Sequence, residues 1–166
     1  MGARPLTFAD ANAPLKGAGF VMLGVPFDAP SSFRPGAKFA PNAIREASWN
    51  FETYNLEHRV DLGDIQIHDS GNLEDFALPQ DMLKEVHSAV EGILENGSFP
   101  IVLGGEHSLT PAIVAALKEK LDFGVIVLDA HMDFRDEYLN VRNSHACATR
   151  RSADIVGPKA IVPIGV

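Results

Sequence analysis

Cysteine is almost missing from this chain, with one residue among 166. A single thiol excludes an internal disulfide and is typical of proteins from reducing compartments. Long apolar runs are also missing, since no stretch approaches the roughly 20 residues that a membrane-spanning helix needs. The first residues, Met-Gly-Ala-Arg-Pro, are not followed by the apolar core of an export signal. We therefore expect a cytoplasmic protein that does not interact with membranes.

Basic residues are few: 14 Lys and Arg stand against 22 Asp and Glu, for a formal net charge of −8. Nucleic-acid binding depends on basic surfaces that displace counterions, so this balance argues against a nucleic-acid partner. An acidic surface is compatible with a small cationic substrate. Many soluble proteins are acidic for solubility alone, however, and the charge by itself identifies no ligand.

The remaining composition, 46% hydrophobic and 22% charged, is that of a globular domain. Apolar runs alternate with helix-like segments, which predicts strands at 19–25, 60–67, 99–103, 125–128 and 161–166 and helices at 41–49, 79–96 and 110–120. Continuous apolar strands separated by helices are typical of an α/β fold with a parallel sheet covered on both faces. In such sheets, ligands bind outside the carboxyl ends of the strands.

The most informative motif is Asp-Ala-His-Met-Asp at residues 129–133, directly after an apolar run. Successive side chains alternate on an extended backbone, so Asp129, His131 and Asp133 are predicted to project together. Carboxylates mixed with imidazole suit a divalent ion such as Mn²⁺. A solvated loop could contain the same residue types, but three converging ligand-type side chains favour a metal site.

A second motif, Gly-Gly-Glu-His-Ser at residues 104–108, also follows an apolar run. Glycine allows close approach of the backbone to a bound ion, which makes His107 a candidate fourth ligand. Alone, His107 could equally be an ordinary loop histidine. Glu106 would point away from the ion on an extended backbone, in a supporting or a purely structural role. Together the motifs predict a metal site at the ends of two neighbouring strands.

A third cluster, residues 143–147, combines an amide, a histidine and a thiol. Cys147 could be a nucleophile activated by His145, although nothing beyond proximity indicates a lowered thiol pKa. His145 could instead shuttle protons at the edge of the metal site, because imidazole titrates near neutral pH. The third interpretation is an ordinary surface histidine, and the residues alone leave all three open.

Residues 104–108 and 129–133 resemble the first two signature motifs of the ureohydrolases, the family of arginase, agmatinase, guanidinobutyrase and formimidoylglutamase. Pro-Asn-Ala-Ile-Arg at 41–45 and Asp-Leu-Gly-Asp at 61–64 are further matches in the same order. The resemblance covers most of the chain after residue 20. It implies a three-layer α/β/α sandwich around a parallel sheet, in a homo-oligomer that is commonly a trimer or hexamer.

The resemblance also implies a binuclear manganese centre. His107, Asp129 and Asp133 would bind one Mn²⁺, and His131 and Asp129 the other, so that Asp129 bridges the pair. In the family, the ions activate a water molecule that attacks the guanidino carbon, and urea and an amine are released.

Roles for the third cluster follow from the same resemblance. His145 would shuttle protons to the leaving amine, and Asn143 and Ser144 would contact the far end of the substrate. Phe-Arg-Asp-Glu-Tyr at 134–138 is similar to microbial agmatinase-like chains, whereas the arginase loop that grips an α-amino acid is not found. The implied substrate is agmatine, a small cationic guanidino compound that is cleaved to urea and putrescine. Another guanidino or formimino hydrolase, such as guanidinobutyrase or arginase, remains an alternative.

The chain departs from the family pattern in its last part. The late Asp-x-Asp pair that completes the metal shells is absent, as is the glutamate that receives the guanidinium. The sequence ends at Val166 inside an apolar run, and we interpret residues 1–166 as one domain truncated after about half of the family fold. An incomplete shell should bind Mn²⁺ weakly, so we expect the fragment to be inactive alone. Alternatively, the chain is a non-catalytic remnant, or a half that pairs with another chain.

Overall fold

The computed structural model describes residues 6–29 and 34–166. The N-terminal residues 1–5 and residues 30–33, within a Gly/Pro/Ser-rich loop, lie outside the described residues. The elements follow in the order β1 (Phe20–Val25), α1 (Ala40–Ser48), β2 (Tyr54–Asn55), β3 (Val60–Asp61), β4 (Ile67–Asn72), α2 (Pro79–Glu95), β5 (Phe99–Gly104), α3 (Thr110–Lys118), β6 (Val125–Leu128), α4 (Ala148–Val156) and β7 (Ile161–Ile164). None of the helices in this described part is both long and apolar enough to cross a membrane.

The central sheet consists of three parallel strands in the order β4-β1-β5. The middle strand, β1, is buried at every residue after Phe20, which explains its continuous apolar sequence. Val21 and Leu23 pack on one face against Ile93 of α2. Met22 belongs to a separate cluster on the other face, together with Ala11 from the N-terminal segment. The parallel α/β architecture predicted from the sequence is therefore confirmed.

The strands β6 and β7 form a separate parallel pair. Within the described residues, no backbone hydrogen bond joins this pair to the central sheet. Exposed and half-buried residues alternate along both strands, and the exposed ones are Ile126, Leu128, Val162 and Ile164. The expectation of strands buried on both faces therefore holds for β1 and is wrong for β6 and β7.

Most elements lie where the apolar pattern predicts them. Helix α2 buries Met82, Val86 and Val90 on one side, and Gly97 follows its end with φ +80°. The strand predicted at 60–67 is wrong, because residues 62–64 form a 3₁₀ turn between β3 and β4. The Asp61 carboxylate closes this turn by accepting the N–H of Gly63 at 3.0 Å.

A buried ion pair ties α1 to β4. Arg45, only 1% exposed, donates two 2.8 Å hydrogen bonds to the carboxylate of Asp69. It also donates to Oδ1 of Asn72 at 2.6 Å and to the carbonyl of Gly71 at 2.9 Å. Burial raises the pKa of Asp69, but the hydrogen bonds from Arg45 and from two backbone N–H groups outweigh it. The net pKa lies below the ordinary value, which keeps the ion pair charged.

Replacing Asp69 with Asn should lower the free energy of unfolding by about 3–5 kcal/mol, because the Arg45 guanidinium is left buried without a counter-charge. Urea unfolding measures this change. The matched control is Asp122→Asn, which removes the partner of Lys118 where the aspartate side chain is 95% exposed. The control should leave unfolding unchanged, and equal losses in the two variants would contradict the assignment.

The loss caused by Asp69→Asn should also depend on pH. Because the folded-state pKa of Asp69 is lowered, the contribution of its carboxylate is fully present above the ordinary aspartate pKa. It disappears as pH falls through the lowered folded-state value. The stability difference between the variant and the wild type should therefore shrink in acid.

Candidate metal centre

The Gly-Gly-Glu-His-Ser motif at residues 104–108 is positioned by β1, which pairs with the chain beyond the end of β5. The N–H of Gly105 donates to the carbonyl of Val25 at 3.1 Å, and that of Glu106 to the carbonyl of Phe27 at 2.8 Å. A Cβ atom at residue 105 would collide with the backbone of Phe27. The glycine thus permits a close approach between two backbone segments, and a 3₁₀ turn at His107–Leu109 then begins.

The Asp-Ala-His-Met-Asp motif at residues 129–133 is not extended, although the prediction assumed strand-like alternation there. Strand β6 ends at Leu128, and the N–H of His131 donates to Oδ1 of Asp129 at 2.9 Å. Asp133 adopts φ +43°, in the left-handed region. A tight turn, rather than strand alternation, therefore returns Asp133 toward Asp129.

His107 meets both aspartates. Its Nδ1 lies 2.7 Å from Oδ2 of Asp133 and 3.6 Å from Oδ2 of Asp129. Each residue of this His-Asp-Asp triad (His107, Asp129 and Asp133) offers a ligand atom, and these atoms all lie within 4.8 Å of one another. The hydrogen bond from the His131 N–H holds the pKa of Asp129 below its ordinary value. One imidazole and two carboxylates suit a divalent ion of the Mn²⁺ type, so the residues fit a metal.

The other predicted ligand, His131, contacts Asp129 but is not a member of the triad. Its Nδ1 is 3.1 Å from Oδ1 of Asp129, but its side chain is 80% exposed. It lines the same cavity as His107 and Asp133. The structure thus brings three of the four predicted ligands together, and the role of His131 stays a prediction.

A cavity of about 920 Å³ opens beside the triad. His145, the predicted proton shuttle, contributes to its lining. Asn143 and Ser144 do not belong to the described residues that line it. Ser144 is 1% exposed, and its Oγ lies 3.4 Å from Nδ1 of His145. Substrate contact by these two residues stays a prediction.

Cys147 lies in the 3₁₀ turn before α4 and exposes none of its surface. Burial raises the pKa of its thiol. A thiol kept protonated and away from solvent is a poor nucleophile. The interpretation of Cys147 as a nucleophile is therefore not supported.

Glu106 is the site residue whose position the sequence did not reveal. It lines the cavity, is 8% exposed, and accepts hydrogen bonds from the N–H (3.1 Å) and the hydroxyl of Ser108. Its Oε2 lies 3.3 Å from Nδ1 of His145. Burial raises the pKa of Glu106 to about 7, although backbone N–H groups of Ser108 and His145 act against it. The available signal was the Glu-x-Ser spacing, which is typical of a carboxylate that caps a turn.

Replacing Asp133 with Asn should weaken Mn²⁺ binding by more than about tenfold, because the triad loses a carboxylate ligand. Isothermal titration calorimetry measures the affinity.

The matched control is Asp136→Asn, which removes the same charge from an aspartate paired with Arg142 and Arg151 outside the triad. The control should bind Mn²⁺ as the wild type does. Equal weakening would mean that net charge, rather than ligation by Asp133, attracts the ion.

Comparisons of the sequence with a family model and with curated proteins both identify relatives of arginase and agmatinase. The sequence model of the Arginase family matches residues 18–166. An agmatinase of Pyrococcus horikoshii is 42% identical over 142 residues, which cover 82% of this chain and 48% of that protein. The chain spans about half the length of the curated relatives it matches.

Solved structures are similar over the same extent. The agmatine ureohydrolase of Thermoplasma volcanium superposes with a TM-score of 0.91 at 38% identity, over 97% of this chain and 54% of that one. A Trypanosoma cruzi formiminoglutamase with Mn²⁺ gives a TM-score of 0.81 at 26% identity, over 91% of this chain and 53% of that one.

Proposed function

The chain belongs to the arginase family, and we propose that it forms the N-terminal part of a ureohydrolase that cleaves agmatine to urea and putrescine. The observation that carries the proposal is the His-Asp-Asp triad beside the cavity. The agmatinase of Pyrococcus horikoshii and the agmatine ureohydrolase of Thermoplasma volcanium support agmatine as the substrate.

The proposed cofactor is Mn²⁺. The triad would hold one ion, and Asp129 together with His131 would contribute to a second. A bound divalent ion would lower the pKa of a water molecule and polarise the substrate. The Mn²⁺ in the Trypanosoma cruzi formiminoglutamase supports this choice of metal.

The chain's own residues would orient the substrate and move protons. The carboxylate of Asp133 lines the cavity and would attract a cationic guanidinium. His145 lines the same cavity, where its imidazole would transfer a proton to the nitrogen that leaves as putrescine when the C–N bond breaks.

Urea release tests the substrate assignment. The protein encoded by the complete reading frame that contains this chain should release urea from agmatine faster than from arginine, and only with Mn²⁺ present. Equal or faster turnover of arginine would overturn agmatine as the substrate. Failure with agmatine, arginine and guanidinobutyrate would overturn the ureohydrolase proposal. The 166-residue chain alone should release no urea, because its ligand shell is incomplete.

Replacing His131 with Ala should lower the same activity by at least about 100-fold, because the second ion loses its imidazole ligand. The control is His87→Ala. His87 is not among the described residues that line the cavity, and its Nε2 lies 3.1 Å from Oε1 of Glu119. Circular dichroism should show both variants folded. Full activity in folded His131→Ala would rule out the metal role.

A further inference from the structure

One buried carboxylate oxygen beside the cavity accepts no well-aligned hydrogen bond, although the backbone N–H of His145 lies near the same carboxylate. Oε2 of Glu106 is one of three buried side-chain polar atoms in the described part of the chain that have no hydrogen-bond partner. The other oxygen, Oε1, is occupied by the N–H and hydroxyl of Ser108. Because the side chain is only 6% exposed, water cannot readily satisfy Oε2. A donor next to this oxygen is therefore strongly favoured.

His145 carries the nitrogen that can supply this donor. Its Nδ1 lies 3.3 Å from Oε2 of Glu106, which is within reach of a hydrogen bond once the N–H points at this oxygen. Tyr138 packs edge-on against the same ring, with the centroids 5.8 Å apart. The imidazole therefore lies between the Tyr138 ring and the buried carboxylate, with Nδ1 the nitrogen close to Oε2.

The chemistry of the two groups fixes which ring nitrogen carries the proton. An ionised carboxylate only accepts hydrogen bonds, so Nδ1 of His145 must be protonated to bond with Glu106. The hydroxyl of Ser144, 3.4 Å from Nδ1, can donate or accept and imposes no choice. A neutral imidazole has a single N–H, and Nε2 is then left as a proton acceptor.

We propose that Glu106 is a positioning residue that holds His145 in the Nδ1–H tautomer and turns Nε2 toward the cavity. This role rests on the proposed function, in which the imidazole of His145 transfers a proton to the leaving amine, and the inference assigns that transfer to Nε2. Glu106 acts through His145 and not on the substrate. Contact with Ser108 occupies only Oε1 of Glu106, and the inference gives Oε2 a role at the site.

Glu106→Gln tests the proposal because it keeps the side-chain size and replaces one acceptor with a donor. The N–H of Ser108 requires an oxygen, so the glutamine carbonyl should take the place of Oε1. Its amide group then faces Nδ1 of His145 and donates to it. The ring should switch from the Nδ1–H to the Nε2–H tautomer.

Nitrogen-15 NMR of the histidine-labelled protein reads the tautomer directly. Spectra at alkaline pH, where the imidazole is neutral and the carboxylate ionised, avoid any contribution from titration. His145→Gln assigns the signals by their disappearance. We expect Nδ1–H in the wild type and Nε2–H in Glu106→Gln. A wild type with Nε2–H overturns the proposal even if the variant fails to fold, and so does an unchanged tautomer in a folded variant.

The matched control is Glu119→Gln, which makes the same change in an exposed glutamate that contacts His87 at 3.1 Å. It should leave the tautomer of His145 and the rate of urea release unchanged. In the protein from the complete reading frame, Glu106→Gln should lower kcat by about 10- to 100-fold with little change in KM. A switched tautomer with unchanged kcat would overturn the role.

The NMR experiment needs no turnover, so the two proposals fail separately. A wild-type ring in the Nδ1–H form, without urea release from any guanidino substrate, would overturn the proposed function and support the positioning of His145. Urea release by a protein whose His145 ring carries its proton on Nε2 would support the proposed function and overturn the positioning role of Glu106.

Discussion

The geometry of the site depends on the backbone pairing that continues past the ends of β1 and β5. Two hydrogen bonds extend the ladder through Gly105 and Glu106, and they require a residue without a side chain at position 105. Glu106 belongs to this extension and His107 follows it directly, so the register between β1 and β5 determines where these side chains emerge. Paired strands can hold side chains more rigidly than a surface loop can.

The other site residues follow β6, which pairs with β7. Within the described residues, this pair shares no backbone hydrogen bond with the central sheet. At the site, the two parts meet through the side-chain contacts of His107 with Asp133 and of His145 with Glu106. Both contacts are polar and only partly exposed. They therefore serve two purposes, since they join the parts of the fold and also orient the groups proposed to react.

The sequence predicted α2 and the central sheet well because their apolar residues recur at regular spacing. Helix α4 was not predicted, because it buries small and polar residues such as Ala148 and Ser152, which give no apolar period. The motifs were correctly expected to converge, since carboxyl ends of parallel strands meet at one edge. The placement of His131 could not be predicted, because an extended backbone was assumed where the chain turns. Glu106 is itself extended, but the 3₁₀ turn that begins directly after it at His107 was not expected.

The left-handed backbone of Asp133 has a consequence for how this protein can evolve. A residue with a Cβ atom adopts such a conformation at a cost in folding free energy that glycine avoids. The same residue holds its carboxylate against His107 and near a second acidic group. Thermal robustness favours glycine at this position, whereas the proposed role of Asp133 as a metal ligand requires a carboxylate, so under that proposal the aspartate is a compromise between stability and binding.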